Sequence, residues 1–248
     1  MRIDIITALP DLFDSVFQRG VVGRGIRRGD LLIQVHDLHD YASDRHRTVD
    51  DKPYGGGAGM VFKPEPLHRA VLAVRRTDRR RRPWVVYLSP QGRILNQTVA
   101  ASLARRKWLV LIAGRYEGID ERAMRDVDEE LSIGDYVLTG GEFAAMVVTD
   151  VVGRYAKGVV KERDSLCNES FIGKFLDHPH YTRPAVYRRM RVPDVLLSGD
   201  HRRIREYRLK ESIRATLRKR PELLRTAHLT VSEKRLLDEI RKEEYRHG

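Results

Sequence analysis

Three segments carry residue types and spacings suited to ligand chemistry. They are Ser89-Pro90-Gln91-Gly92, Gly114-Arg115-Tyr116-Glu117-Gly118, and Ile133-Gly134-Asp135-Tyr136-Val137-Leu138-Thr139-Gly140-Gly141-Glu142. Glycine lets a backbone approach a ligand closely and take positive φ. Each segment follows an expected strand, and open α/β sheets bind ligands beyond the carboxyl ends of their strands. None matches G-x-G-x-x-G and no Walker A sequence occurs, so an ordinary dinucleotide or NTP site is not expected. Each loop alone reads more readily as a plain turn, whereas three in one sheet favour a ligand cradle.

A fourth segment, residues 44–59, is polar, glycine-rich and without apolar period. It holds Arg45, His46, Arg47, Asp50, Asp51, Lys52 and Tyr54, a mixture suited to phosphate contact and base stacking, or else a solvated loop. The carboxylates Asp120, Glu121 and Asp135 would serve a metal-dependent RNA nuclease, a rival reading, and Asp128-Glu129-Glu130 reads as a metal ligand run or a solvated helix end. His36, His39, His178 and His180 show no convergent partners and read as structural, so the residues alone point to no metal site. Cys167 is the only cysteine, which excludes an internal disulfide and a thiolate zinc cage within one chain.

The elements that must position these loops follow from apolar spacing. Strands are expected at residues 2–6, 31–35, 84–88, 109–113 and 131–133. Helices are expected from Leu9-Pro10-Asp11 onward (Leu12, Phe13, Val16 and Phe17 inward), at 64–75 (Leu67, Val71 and Leu72 inward), at 96–106 and at 142–152. Short apolar strands alternating with helices imply βαβ units and a parallel sheet. Residues 157–174 lack period and read as a linker. Helices resume beyond it, and Thr230-Val231-Ser232-Glu233 is a capping box that should start the last one.

The 248 residues carry a net charge of +12 and a pI near 10.0. An excess of this size favours a polyanionic partner. Residues 201–248 hold 15 Lys and Arg against 8 Asp and Glu, which points to a basic helical C-terminal domain. A non-catalytic RNA-binding protein would explain that domain but leave the three glycine loops idle. Asp4 and Pro10 interrupt any apolar run near the start, and the longest apolar stretch, residues 143–148, is too short to span a bilayer. A cytoplasmic protein is expected.

The motifs Asp44-Arg45-His46-Arg47-Thr48-Val49-Asp50-Asp51, Tyr54-Gly55-Gly56-Gly57, Tyr87-Leu88-Ser89-Pro90-Gln91-Gly92, Gly114 through Arg122, Ser132 through Leu138, and Pro179-His180-Tyr181-Thr182-Arg183-Pro184 occur in order along the chain. Together they resemble the bacterial tRNA (guanine-37 N1)-methyltransferases of the SPOUT class, the TrmD family. The resemblance covers essentially the whole chain. It implies an α/β fold: a parallel-sheet SPOUT domain with a deep trefoil knot over residues 1–156, a linker over 157–175, and a small α-helical, basic tRNA-binding domain over 176–248. It implies methyl transfer from S-adenosylmethionine to N1 of guanine-37 beside the anticodon, with Mg²⁺ as a possible further requirement. The expected partners are tRNA and a second copy of the chain, in a homodimer with active sites at the subunit interface, and neither DNA nor a membrane.

The resemblance also assigns residues. The donor cradle is expected at Tyr87, Leu88, Ser89, Pro90, Gly114, Glu117, Ile133, Gly134, Asp135, Tyr136, Val137, Leu138, Gly140 and Gly141. Contacts to tRNA are expected at Arg45, His46, Asp50, Gly59, Ser165, Pro184 and Ser198. Arg154 matches the family arginine placed against the guanine. The family base is an aspartate followed by Ser-Phe, and here that position reads Asn168-Glu169-Ser170-Phe171, which makes Glu169 the expected base. Asp164 lies nearby as an alternative but does not align.

Overall fold

A computed structural model describes residues 1–160 and 169–247, with side chains through Tyr245. Its contacts divide the chain into two compact units, Met1–Lys161 and Glu162–Gly248.

The first unit is built on a five-stranded sheet in the order β2-β1-β6-β5-β7, all neighbours parallel. The strands are β1 (Arg2–Thr7), β2 (Leu32–Asp37), β5 (Trp84–Ile94), β6 (Trp108–Ala113) and β7 (Glu129–Ser132). Two short strands, β3 (Asp50–Asp51) and β4 (Val61–Phe62), pair antiparallel outside the sheet. Side chains alternate between faces with the period of two that a strand imposes. Ile3, Ile5, Leu109 and Leu111 pack with α1 (Gly20–Arg27), α3 (Gln97–Arg106) and α4 (Glu142–Gly153). Ile6, Val85, Val110 and Ile112 pack with α2 (Pro64–Arg76) on the other face. Every residue of β6 is buried, because a central strand covered on both faces must be apolar on both. The expected parallel sheet is present.

Four local expectations differ. The chain beyond Leu9 forms only a 3₁₀ turn (Pro10–Phe13), which buries Phe13 and leaves Leu12 and Val16 about 40% exposed. The helix comes later, at α1, whose glycines disguise it. A Cβ at Gly23 would lie 2.6 Å from the Gln18 carbonyl group, and one at Gly25 would lie 2.8 Å from Val159. Val159 is therefore buried in this unit's core although its stretch reads as linker. β5 does not stop at Leu88. Residues 89–92 bulge out of its pairing, after which Arg93 and Ile94 rejoin β7. Within α2, Ala70 and Val74 complete the buried face with Leu67 and Val71, while Leu72 is only partly buried.

Asp4 is fully buried on β1. Its carboxylate accepts bonds from Arg2 Nε (2.7 Å), Arg2 Nη2 (2.9 Å) and Trp108 Nε1 (2.7 Å), and pairs with His36 Nε2 at 2.8 Å. Burial pushes this carboxyl up, but the bonds from His36, Arg2 and Trp108 together hold it below its ordinary value. A depressed folded pKa stabilises the fold above the unfolded value of about 3.9, and that contribution is lost as pH falls through the folded value. Asp4→Asn is expected to cost about 3–5 kcal/mol at pH 7, as for a broken buried pair. Urea unfolding should also show less destabilisation between pH 5 and pH 3 in the variant than in wild type. Parallel acid limbs for the two proteins would remove Asp4 from this role.

The second unit is helical, apart from a two-stranded hairpin of β8 (Val186–Tyr187) and β9 (Met190–Arg191). Its helices are α5 (Asp194–Leu197), α6 (His201–Lys219), α7 (Pro221–Thr226) and α8 (Val231–His247). Ile213, Leu236, Leu237 and Ile240 form its core, with Phe175, Leu209 and Leu217 packed against them. The Asp200 carboxylate caps α6 by accepting from the amides of Arg202 and Arg203. The expected capping box is formed: the Glu233 carboxylate accepts from Thr230 N at 2.7 Å, and Thr230 Oγ1 accepts from Glu233 N at 3.3 Å.

Candidate active site

The bulged loop within β5 and the loops after β6 and β7 together wall a cavity of about 570 Å³. Residues 87–90, Gly114, Glu117, Ile133, Gly134, residues 136–138, Gly140 and Gly141 all line it. Asp135 does not line it. Gln91, Arg115, Tyr116, Gly118, Ile119, Glu121, Met124, Glu130, Leu131, Ser132, Thr139 and Ala144 line it as well. Several of these sit inside the glycine motifs. Met124 and Ala144 carry no sequence signal, because the fold brings them in from a 3₁₀ turn and from α4.

The glycines have steric reasons to be there. A Cβ on Gly114 would lie 2.9 Å from Tyr87 Cε2, and one on Gly118, where φ is +120°, would lie 3.1 Å from the Tyr87 hydroxyl. One buried aromatic ring thus underlies two turns of the second loop. Burial and the nearby Glu130 carboxylate push the Tyr87 hydroxyl above the ordinary phenol range, against a smaller opposing effect of a backbone bond with Ile119. It stays neutral at physiological pH. The first loop is held out from the strand by its own turn, in which Gln91 N donates to Ser89 Oγ at 3.1 Å.

A buried carboxylate joins the loops. Glu142 opens α4, is 1% exposed, and accepts from Thr7 Oγ1 at 2.9 Å and from Arg115 Nη1 at 3.0 Å. A negative charge is favoured at a helix N-terminus. Here it also ties β1, the second loop and the third loop to one point. Gly141 N donates to Gly114 O at 2.7 Å, and Arg115 and Gly140 form an antiparallel bridge.

The polar loop of residues 44–59 is fastened to the same wall. Glu117 N donates to Met60 O (3.0 Å), Phe62 N to Gly118 O (3.0 Å), and Asp120 N to Phe62 O (2.9 Å). Gly59, with φ of +81°, packs so close that a Cβ there would meet Glu117 Oε1 at 2.5 Å. Arg45 and His46 are exposed, Asp50 is partly buried in β3, and Tyr54 is 99% exposed. The Asp44 carboxylate accepts from Thr48 Oγ1 and N, and these bonds, the hydroxyl foremost, hold it below the usual carboxylate range. This long loop is thus shaped by local bonds.

Arg154 caps the C-terminus of α4 in the first unit and is partly buried. Glu169 begins the described part of the second unit, in a turn where Ile172 N donates to its carbonyl at 3.4 Å. Ser165 and Asp164 lie outside the described residues. Pro184 is exposed. The Ser198 hydroxyl is used locally, donating to Val195 O at 2.8 Å and accepting from Asp200 N at 3.2 Å.

Two readings of possible metal ligands change. Residues 128–130 do not end a helix. Glu129 opens β7, and Asp128 accepts from Arg82 Nη2 at 2.6 Å and Val85 N at 2.9 Å, while Glu129 accepts from Trp84 Nε1 at 3.1 Å. Those carboxylates hold the sheet edge. His178 and His180 do converge with a carboxylate: among the described residues, the ligating atoms of Asp177, His178 and His180 lie within 4.8 Å of one another. The adjacent sequence positions gave no warning, since only the folded backbone shows that the two rings lie 4.5 Å apart. Among the described residues Asp120, Glu121 and Asp135 form no such group, and Asp120 is engaged by Arg122.

The cavity's size lies within the usual range for small-molecule sites, roughly 300–1,000 Å³. Its wall combines apolar faces (Tyr116, Tyr136, Val137, Leu138) with the carboxylates Glu117, Glu121 and Glu130. That is a fit for a ligand part aromatic and part cationic.

The family model for tRNA (Guanine-1)-methyltransferase TrmD matches residues 1–226. A tRNA (guanine-N(1)-)-methyltransferase of Thermotoga maritima is 50% identical over 243 residues, covering 98% of each chain. One of Fusobacterium nucleatum is 49% identical over 245 residues, covering 98% of this chain and all of the relative. One of Dehalococcoides mccartyi is 48% identical over 245 residues, covering 98% of both. With likeness of this degree running nearly end to end, the chain belongs to the tRNA (guanine-1)-methyltransferase family, TrmD.

Proposed function

We propose that this protein transfers a methyl group from S-adenosylmethionine to N1 of guanine-37 in tRNA, beside the anticodon, in the bacterial cytoplasm. The observation that carries the reading is the cavity walled by the three glycine loops in a chain of this family. Residues 87–90, Gly114, Glu117, residues 133–138, Gly140 and Gly141 would hold the donor, with Asp135 contributing through its loop. The bound donor supplies an electrophilic methyl on a sulfonium, a cation suited to the carboxylates of this wall. On this reading the first unit is the SPOUT domain with its trefoil knot, spanning residues 1–156. Residues 176–248 form the tRNA-binding domain, and 157–175 join the two.

Guanine N1 carries a proton at neutral pH and is a poor nucleophile until that proton leaves. Glu169 is the general base that removes it. Negative charge then grows on O6, and the Arg154 guanidinium stabilises it as a donor does an oxyanion. Arg45, His46, Asp50, Gly59, Ser165, Pro184 and Ser198 contact the RNA. A base in the single-stranded anticodon loop can be splayed out and read on its Watson–Crick edge. Mg²⁺ is a further requirement implied by the family. A homodimer would offer cover for the exposed apolar side chains of α4, Phe143 (52%) and Val147 (41%). No helix among the described residues is long and apolar enough to cross a membrane.

The test is incubation with methyl-labelled S-adenosylmethionine and a tRNA transcript. Label is expected on intact RNA, recovered after digestion as N1-methylguanosine and lost when guanine-37 is replaced. RNA cleavage without label would support the nuclease rival instead, and binding with neither would support a non-catalytic RNA-binding protein.

A further inference from the structure

The β8–β9 hairpin of the second unit turns on Arg188 and Arg189, with φ of +47° and +66°. A two-residue hairpin turn of this kind needs left-handed backbone at both central positions, and Asn-Gly is the favoured pair there. An arginine Cβ crowds the following carbonyl in that region. The sequence therefore uses a disfavoured pair where a relaxed one was available.

Packing does not explain the choice. All of residues 186–191 are exposed, and Val186, Tyr187 and Met190 are at least half open to solvent. Among the described residues neither Arg188 nor Arg189 forms an ion pair. The Arg188 guanidinium instead lies 5.4 Å from the centre of the Tyr187 ring. Residues held in disfavoured backbone regions cluster at ligand clamps and other functional sites.

The surroundings indicate the partner. Val192 N donates to Ala185 O at 2.9 Å and closes the base of the hairpin. Both residues line a cleft of about 390 Å³ with His180, Tyr181, Arg183 and Arg208. Guanidinium groups beside aromatic faces suit a phosphate backbone with bases stacked against it.

We infer that the Arg188–Arg189 turn is a prong that grips the phosphate backbone of RNA, with Tyr187 offering a stacking face and the adjoining cleft continuing the contact. The inference rests on tRNA being the substrate. It adds which element of the second unit holds it, and why two arginines occupy the turn.

The test replaces the strained pair with the relaxed one, Arg188→Asn with Arg189→Gly, in the full-length protein. Thermal unfolding is expected at the same temperature or higher, and donor affinity, measured by calorimetry, should be unchanged. The Kd for tRNA at 0.15 M salt should rise roughly tenfold, about 1.4 kcal/mol. The slope of log K against log salt should shrink by about 1.4–1.8, the release expected for two phosphate contacts. The paired control, Arg188→Lys with Arg189→Lys, should retain most of that slope. Wild-type affinity and slope in the Asn-Gly variant would overturn the prong. So would a tRNA defect accompanied by lowered stability, which would make the arginines structural. Failure of the underlying reading looks different: the wild-type protein itself would neither bind tRNA nor label it.

Discussion

Glu169→Gln is expected to lower single-turnover methyl transfer by roughly 10²–10⁴-fold, the range that a positioned general base contributes. Glutamine keeps the size and hydrogen-bonding capacity of the side chain but cannot take the N1 proton. Donor affinity should be nearly unchanged, because every residue lining the donor cavity lies between Tyr87 and Ala144 in the first unit, while Glu169 belongs to the second. The split between lost rate and retained donor binding separates a base from a residue that merely supports the fold. Glu169→Asp adds a second check. It restores the family's residue on a stem one methylene shorter, and should recover a substantial part of the activity. Single-turnover rates in Glu169→Gln equal to wild type would remove Glu169 from the mechanism.

Gly92→Ala is expected to damage both stability and donor binding. Gly92 closes the bulge that pushes residues 89–91 out of β5, and a Cβ there would lie 2.3 Å from Leu131 N and 2.4 Å from the Glu130 carbonyl carbon. Both obstacles are backbone atoms of β7, so no side-chain rotation relieves them. Either β7 moves away or the bulge collapses, and both distort the wall at Pro90 and Ile133. Overpacking costs about 1–3 kcal/mol, and this site belongs at the upper end. A fall in Tm of roughly 6–12 °C should follow. Calorimetric titration with S-adenosylmethionine should show at least a tenfold weaker Kd, estimated as about 1.4 kcal/mol lost. Wild-type Tm together with wild-type donor affinity would show that the bulge tolerates a side chain and that its glycine is incidental.

The two variants probe parts of the site that differed in how readable they were. The glycine of the first loop stood out as a motif, yet its neighbours in the chain give no sign that the strand resumes after it. A bulge is defined by the partner strand, and β7 lies some forty residues further on in the sequence. The same holds for Glu142. It sits in a recognisable Gly-Gly-Glu run, but its bonds to Thr7 and Arg115 come from elements distant in sequence. α1 escaped notice for the opposite reason: its glycines lower helix propensity, and only contact with Gln18 and Val159 shows what they are for.

Local pattern alone determined the strands β1, β2, β6 and β7 to within a few residues, and the first half of β5. It also determined α2, α3 and α4, the capping box at Thr230, and the polar loop of residues 44–59, because alternation, helical period and turn residues are properties of neighbours in the chain. The long motifs established the family. Tertiary structure alone decided that the three glycine loops enclose one cavity and that Glu142 fastens them. It alone brought Asp177 together with His178 and His180, and left the Arg188–Arg189 turn unpacked and exposed. Apart from the Asp177–His180 cluster, where local backbone geometry sets how near the rings come, these are relations between residues distant in sequence, or questions of what covers a side chain once the chain has folded. They depend on where strand order and core packing bring the backbone, which no local periodicity encodes.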